Sequence, residues 1–272
     1  MAADTGRPRL SKAWYALAVC FDAAVTYILR RDRLADGDET TVYIVGHPLD
    51  GVRLRVCLFR QPRRLDWWCA KSGIDEAVVG GFYLRDPFRP LGDLWVGGEP
   101  VDGTPFPPEY RDLRPALHLT DGDIRIAPRG ELPEAPDGDL LQAGPLLVHE
   151  GKVAVRAGRD DEGFAAGASQ FDSDITSGRY PRAALAVADD ALLAVACDGR
   201  SRGDAGLSLA ELARLLAELG AREAINLDGG GSTSLVCAGE LRNRPRADFG
   251  VPLPGGRPIA TALVFSVEGQ TP

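Results

Sequence analysis

The feature of this 272-residue chain that most restricts its fold is a repeated pattern of short apolar runs that come in pairs. Only a few turn-forming residues separate the two runs of each pair, which is too short a connection for a parallel crossover. The paired runs are therefore expected to be antiparallel neighbours in a sheet. The pairs span residues 41–59, 94–101, 117–126, 146–155 and 184–197.

Two segments predict helices. One runs from residue 64 to 71 and stops at Ser72-Gly73. The other begins after Ser208, which with Glu211 three residues later forms a capping box, and ends at Gly220. Its leucines recur at helical spacing and predict a buried face: Leu209, Leu212, Leu216 and Leu219.

The predicted fold class is α+β, with a mixed, largely antiparallel β-sheet core and a few helices in a single domain. We place that domain at residues 40–268. Residues 1–39 are expected to be an N-terminal extension whose first strand or strands pack on it. Residues 97–145 are rich in Pro, Gly and Asp, which predicts mainly loops over a cleft.

Composition limits the partners and the compartment. The net charge of −8 argues against a nucleic-acid surface, and no apolar run is long enough to cross a membrane. The five cysteines are scattered without a CxxC pair, as expected of a reduced protein. The first residues also lack the features of a signal peptide, so we expect a cytoplasmic protein. Its oligomeric state is not predicted.

The segment from residue 225 to 236 carries the strongest functional signal. It joins two apolar runs through Asp228, three consecutive glycines (229–231) and the hydroxyl residues Ser232, Thr233 and Ser234. Consecutive glycines can turn their N–H groups inward to bind an anion, here a phosphorylated or polyhydroxylated ligand. The alternative is a tightly turning connection. A strand and not a helix is expected to follow, which excludes a dinucleotide-binding or P-loop site.

Several segments, in their order along the chain, resemble the phosphodiester glycosidase family. The most specific is residues 226–233 (NLDGGGST), which follow a capped helix and a strand and are close to that family's NLDGGGS motif. The resemblance covers roughly residues 40–268. The other matching segments are residues 77–83 (AVVGGFY), 142–147 (QAGPLL), 180–184 (YPRAA), 196–200 (ACDGR), 243–245 (NRP) and the closing strand 259–267.

The resemblance implies a hydrolase that cleaves the sugar–phosphate bond of a sugar-1-phosphodiester, either GlcNAc-1-phosphodiester-like or nucleotide-sugar-like. Its implied partner is thus a small phosphorylated sugar. Asp228 and Asp198 are the expected catalytic carboxylates. Phosphate is expected to contact Arg182, Arg200, the N–H groups of Gly229, Gly230 and Gly231, and the hydroxyls of Ser232 and Thr233. The remaining expected substrate contacts are Gly80, Gly81, Phe82, Asn243 and Arg244.

Each of these residues also has a structural alternative. Asp198 fits an Asp-Gly turn, and Asp228 can cap its own loop. The arginines fit ordinary surface charges, and Asn243 and Arg244 fit ordinary loop residues. No cofactor is predicted, although a divalent cation such as Ca²⁺ stays open because Asp172 and Asp174 offer oxygen ligands.

Two departures from the family pattern leave other functions open. Val79 stands where the family usually has Asn, and Ala183 stands where it has Thr. One alternative is a biosynthetic tailoring enzyme that acts on a phosphorylated or nucleotide-linked natural product. The other is a sugar-phosphate binding module without catalysis.

Overall fold

The computed structural model describes residues 16–22, 25–156, 159–165 and 175–267. The largest sheet has eight strands, and every strand pairing in it is antiparallel. From one edge to the other they are β1 (Ala16–Asp22), β2 (Val25–Arg33), β3 (Glu39–Pro48), β16 (Ala191–Cys197), β15 (Arg182–Ala188), β17 (Ala221–Asn226), β13 (Leu146–His149) and β14 (Lys152–Val153).

Two five-stranded sheets and one hairpin complete the β-structure of the described residues. The second sheet contains, in order, β11 (Asp123–Pro128), β10 (Pro115–Thr120), β12 (Asp139–Gln142), β8 (Leu94–Val96) and β9 (Glu99–Pro100). The third contains β19 (Glu240–Leu241), β18 (Leu235–Cys237), β5 (Ala77–Val79), β20 (Ile259–Val267) and β4 (Val52–Arg63). The hairpin pairs β6 (Tyr83–Arg85) with β7 (Phe88–Pro90).

The described helices are α1 (Leu65–Ser72), α2 (Pro108–Arg111) and α3 (Leu209–Glu218). The predicted capping box of α3 is confirmed, with Ser208 Oγ accepting from the Glu211 N–H at 3.2 Å. The predicted first helix is also confirmed, within one residue at each end. None of the helices in the described ranges has the length and apolarity needed to cross a lipid bilayer.

The central strands of the eight-stranded sheet, β3, β16, β15 and β17, are largely buried on both faces. Alternate residues of β3 point in opposite directions, so Val42 and Ile44 pack in the core beneath α3, whereas Tyr43 and Val45 pack in the larger core. The larger core also contains residues of the two five-stranded sheets. Burial on both faces explains why these strands read as nearly continuous apolar runs.

The predicted fold class is confirmed, with corrections to two of its parts. Residues 41–59 do not form a hairpin, because β3 already has β2 and β16 at its two edges and β4 pairs with β20 in another sheet. The chain crosses between the two sheets at residues 49–51. Residues 97–145 are not mainly loops, since they supply four of the five strands of the second sheet, β9 to β12. The boundary expected between residues 39 and 40 falls inside β3, and residues 1–15 lie outside the described part.

The ends of two sheets meet where β17 stops. The Leu227 N–H donates to Ala183 O at 2.9 Å, which continues the pairing of β17 with β15. The next N–H, of Asp228, donates to Gly80 O at 3.0 Å, just beyond the end of β5 in the third sheet. The glycine segment therefore carries the chain from one sheet to the other, and Asp228 stands at their junction.

Candidate functional site

A cleft opens at this junction. Its walls are the start of the β6–β7 hairpin, residues 180–182, and residues 226–232 at the end of β17. Ile175 and three charged residues from other parts of the chain, Arg200, Asp248 and Arg257, also line it. Of the expected site residues, the cleft brings together Phe82, Arg182, Arg200, Asp228, Gly229, Gly230, Gly231 and Ser232.

Two of the three glycines, Gly230 and Gly231, make room for guanidinium groups. A Cβ on Gly230 would lie 3.1 Å from Nη1 of Arg200, and one on Gly231 would lie 3.0 Å from Nη2 of Arg257. Gly230 also has φ +59°, a conformation that favours glycine. The loop therefore holds two arginine side chains directly against its backbone.

The backbone N–H groups of this loop are used differently from the expected anion-binding concavity. The Gly229 N–H donates to Oδ1 of Asp228 at 2.9 Å, and the Gly230 N–H donates to Pro181 O at 2.8 Å. The Ser232 N–H donates to Gly229 O at 3.1 Å. These bonds shape the loop and leave those donors engaged, so the cationic character of the cleft comes mainly from the arginines.

Asp228 is the carboxylate at the centre of the loop. Burial raises its pKa to about 6, and this effect is opposed by hydrogen bonds from the Ser232 hydroxyl and the Gly229 N–H and by the charges of Arg257 and Arg85. Tyr83 lies beside it, and the Tyr83 hydroxyl donates to Pro258 O at 2.6 Å, which fixes the ring. Near neutral pH the carboxylate is ionised in a site with several nearby cations.

Arg200 is held in place by the segment around residue 248. Its Nη1 donates to Arg246 O at 3.2 Å, and its Nη2 forms an ion pair with Oδ1 of Asp248 at 2.7 Å. The guanidinium carbon lies 5.5 Å from the centre of the Tyr180 ring. Arg200 has φ +58°, a left-handed conformation that directs the chain around this contact.

Arg182 lines the cleft but is buried, and its known contacts are structural. Its Nε donates to Leu207 O at 3.1 Å and its Nη2 donates to Ile175 O at 3.0 Å. Its guanidinium carbon lies 5.3 Å from the ring centre of Tyr180. The Arg200 guanidinium contacts the same ring. Arg182 thereby positions one wall of the cleft.

Asp198, expected as a catalytic carboxylate, does not line the cleft. It is 2% exposed. Its Oδ2 accepts from the Tyr43 hydroxyl at 2.8 Å, and its Oδ1 accepts from the Arg244 N–H at 2.6 Å. Burial raises the pKa of Asp198, and these two hydrogen bonds, which favour the ionised form, lower it in part. The carboxylate thus ties β3 to the segment that follows β19, which is a structural role.

The other expected contacts also support the loop from outside the cleft. The Asn243 side chain accepts from the Leu235 N–H at 2.9 Å and donates to Thr233 O at 2.8 Å. Thr233 is fully buried, and the Arg244 side chain is exposed. Asn243 therefore holds the exit of the glycine segment through Thr233 and Leu235.

Gly80 and Gly81 allow close packing of backbones. The Gly81 N–H donates to Oγ1 of Thr261 at 2.9 Å, and a Cβ on Gly80 would collide with the same threonine. This packing lets Gly80 O reach the Asp228 N–H. Neither glycine lines the cleft, whereas the next residue, Phe82, does.

The cleft residues that sequence reasoning missed include the charged residues Arg85, Asp248 and Arg257 and the aromatic residue Tyr180. Arg257 follows two glycines in a loop before β20, and Asp248 lies in a short 3₁₀ turn at residues 248–250. Neither context differs from that of an ordinary surface loop. Only the fold brings these residues to the glycine segment.

Val79 and Ala183, which depart from the family pattern, are fully buried in β5 and β15. Both belong to the larger core. Neither lines the cleft, so both departures from the family pattern are at core positions.

The structure identifies no metal centre within its described ranges, where no three His, Cys, Asp or Glu side chains come together as a candidate ion site. Asp172 and Asp174, the oxygen ligands considered from the sequence, lie outside those ranges.

Comparisons with known proteins identify a family and a fold. The family described as Phosphodiester glycosidase matches residues 72–266. A hypothetical protein from Synechocystis has a TM-score of 0.72 at 18% identity, over 94% of this chain and 64% of that one. The catalytic domain of zebrafish N-acetylglucosamine-1-phosphodiester alpha-N-acetylglucosaminidase, auto-inhibited by its pro-peptide, has a TM-score of 0.65 at 17% identity, over 94% of this chain and 88% of that one.

These matches confirm the family resemblance seen in the sequence. The chain spans 64% of the length of the Synechocystis protein, which is less than two thirds. At such identities the solved structures show a shared fold and nothing about the substrate. A comparison with curated protein sequences gives no match.

The structural role of Asp198 predicts a loss of stability. Replacing it by alanine (Asp198→Ala) leaves the buried Tyr43 hydroxyl and the Arg244 N–H without their acceptor, so we expect the free energy of unfolding to fall by about 2–3 kcal/mol. Denaturant unfolding measures this. The control Asp189→Asn alters an exposed carboxylate and is expected to stay within about 0.5 kcal/mol of the parent. An unchanged unfolding midpoint for Asp198→Ala would contradict the assignment.

Proposed function

Because this chain belongs to the phosphodiester glycosidase family, we propose that it hydrolyses the bond between the sugar and the phosphate of a sugar-1-phosphodiester. The observation that carries the proposal is the cleft itself. One half-buried carboxylate, Asp228, and two guanidinium groups, of Arg200 and Arg257, meet on the same glycine segment. This pairing of charges fits a substrate with an anionic half and a half that becomes cationic during the reaction.

The phosphate half is assigned to Arg200 and Arg257. Guanidinium groups offer paired donors in the geometry of phosphate oxygens. Within the described part of the chain the Arg257 side chain has no hydrogen-bond or ion-pair partner, and its donors are available to a ligand. Arg200 uses one donor on Arg246 O and one on Asp248, which leaves its other N–H groups for the phosphate.

The sugar half is assigned to Asp228 and the aromatic wall beside it. As the C1–O bond breaks, its electron pair leaves with the phosphate and C1 gains cationic character. The ionised Asp228 carboxylate stabilises that charge, water adds its hydroxyl group to C1, and the proton that the water loses passes to solvent. Tyr83 and Phe82 border the place of the sugar ring.

The leaving group explains why cations dominate this cleft. A phosphate monoester is a stable anion, so its departure needs less protonation than the departure of a sugar alkoxide. Cations that stabilise the departing phosphate then take the place of a strong general acid. This chemistry favours an ionised Asp228 over a protonated one.

The name of the zebrafish protein makes an N-acetylglucosamine-1-phosphodiester the first substrate to test. We expect the protein to release free sugar from the methyl ester of GlcNAc-1-phosphate or from UDP-GlcNAc. Asp228→Asn is expected to lower kcat by about 100-fold or more, because it removes a charge that acts at the reacting carbon. Absence of free sugar from every sugar-1-phosphodiester tried, in a protein with a normal unfolding midpoint, would refute the proposal.

The raised pKa of Asp228 predicts the pH profile. If the ionised form is required, kcat/KM rises as the pH increases through about 6 and then reaches a plateau. The phosphodiester keeps its single negative charge over this range and contributes no step of its own. Initial rates from pH 4.5 to 8.5 measure the profile. A rate that falls above pH 6 would instead assign Asp228 as a proton donor.

The glycine segment predicts a second effect. Gly231→Ala places a methyl group 3.0 Å from Nη2 of Arg257 and 2.9 Å from Cδ1 of Leu253, and both are flexible ends that can move aside. We expect Arg257 to be displaced and KM for the phosphodiester to rise about tenfold, through loss of a charge-assisted hydrogen bond. Gly203→Ala is the control, because no atom lies within 4 Å of the added carbon. Equal KM values for the two variants would exclude this role of the loop.

A further inference from the structure

The cleft contains a carboxylate that the proposed reaction does not use. Oδ1 of Asp248 lies 2.7 Å from Nη2 of Arg200, one of the two arginines assigned to the phosphate. Unlike the buried structural carboxylate Asp198, the Asp248 side chain is 57% exposed and lines the cleft. A negative charge beside an anion site weakens the binding of every anion, and it does so in proportion to the charge of the anion.

The segment that carries Asp248 is built around Arg200. Arg246 O accepts from Nη1 of Arg200, and the Arg246 side chain donates to Gly250 O at 2.8 Å. The Ala247 N–H donates to Val251 O at 2.8 Å, which closes the turn. These bonds hold the turn that carries Asp248 against Arg200, and the Asp248 carboxylate lines the cleft beside that guanidinium.

The charges along the cleft determine which kind of phosphate ester Asp248 disfavours. The lining side chains supply the positive charges of Arg85, Arg182, Arg200 and Arg257 and the negative charges of Asp228 and Asp248. A phosphodiester carries one negative charge, whereas a phosphate monoester near neutral pH carries between about 1.5 and 2. Asp248 therefore opposes a monoester more strongly than a diester.

We propose that Asp248 is a specificity-determining residue that makes the cleft select phosphodiesters over phosphate monoesters. This inference rests on the proposed function, because it assumes that the phosphate binds at Arg200. The same repulsion favours release of the phosphate monoester once the C1–O bond has broken, since the product carries more charge than the substrate. Asp248 thus acts on the phosphate half of the substrate, whereas Asp228 acts on the sugar half.

The test compares two ligands that differ in one methyl group, GlcNAc-1-phosphate and its methyl ester, at pH 8. Their dissociation constants are measured by calorimetry in the Asp228→Asn background, which preserves the diester. Adding Asp248→Asn keeps an oxygen that can accept from Arg200 but removes the charge. We expect the Kd of the monoester to fall about fivefold more than the Kd of the diester, the effect of one partly screened charge at contact distance.

Two further variants isolate the cause. Asp248→Glu keeps the charge. In the Asp228→Asn background, the ratio of the two Kd values is therefore expected to stay near the ratio measured with Asp248 unchanged. Glu240→Gln removes an exposed carboxylate that pairs with Arg242 at 2.8 Å outside the cleft, and both Kd values are expected to be unchanged.

The outcomes separate this inference from the function on which it rests. If the diester binds and Asp248→Asn leaves the Kd ratio unchanged, Asp248 does not determine specificity, although the proposed function stands. If the diester binds to no variant and the parent protein releases no sugar from it, the proposed function fails and the role of Asp248 fails with it.

Discussion

The close approach of two guanidinium groups to a backbone without side chains is the contact on which the rest of this site depends. Any Cβ on Gly230 or Gly231 would occupy the space that Arg200 and Arg257 fill. The run of glycines therefore makes room for the arginine side chains, and the arginines in turn are available to a ligand. This reverses the usual reading of a glycine-rich loop, in which exposed N–H groups bind phosphate directly. Here most of those N–H groups hold the loop in shape.

The fold creates the loop by joining two sheets whose ends meet at one place. The pairing of β17 with β15 continues to Leu227, and the next N–H, of Asp228, is already bonded to the third sheet at Gly80. The loop has little freedom between these anchors, and Asn243 fixes its exit. Backbone anchors on both sides of the loop keep the Asp228 carboxylate half-buried beside several cations, because the loop is not free to move and expose it.

Local signals made much of the fold predictable. Short turns identified the antiparallel neighbours, and Ser208 and Glu211 identified α3. The hairpin expected at residues 41–59 was wrong because pairing is decided by which strand edges are free, a property of the whole sheet. The same limit applied to the site. The motif predicts a carboxylate at Asp228, which lines the cleft, and the sequence makes Asp198 an equally suitable catalytic candidate. Nothing local in the sequence indicates that Tyr43 and Arg244 donate to both oxygens of Asp198. Arg257 and Asp248 have no local signal, since their contacts are distant in sequence.

The two carboxylates near the cleft arginines differ in exposure, and this difference supports their separate assignments. Burial raises the pKa of Asp228, while the surrounding cations and hydrogen bonds lower it, so that it rests near 6 and remains ionised at neutral pH. Desolvation also strengthens its interaction with a developing positive charge at C1. Asp248 is largely solvated, and water weakens its field. A weak field can discriminate between one and two charges on an anion without preventing the anion from binding, whereas a buried carboxylate at that position would exclude both.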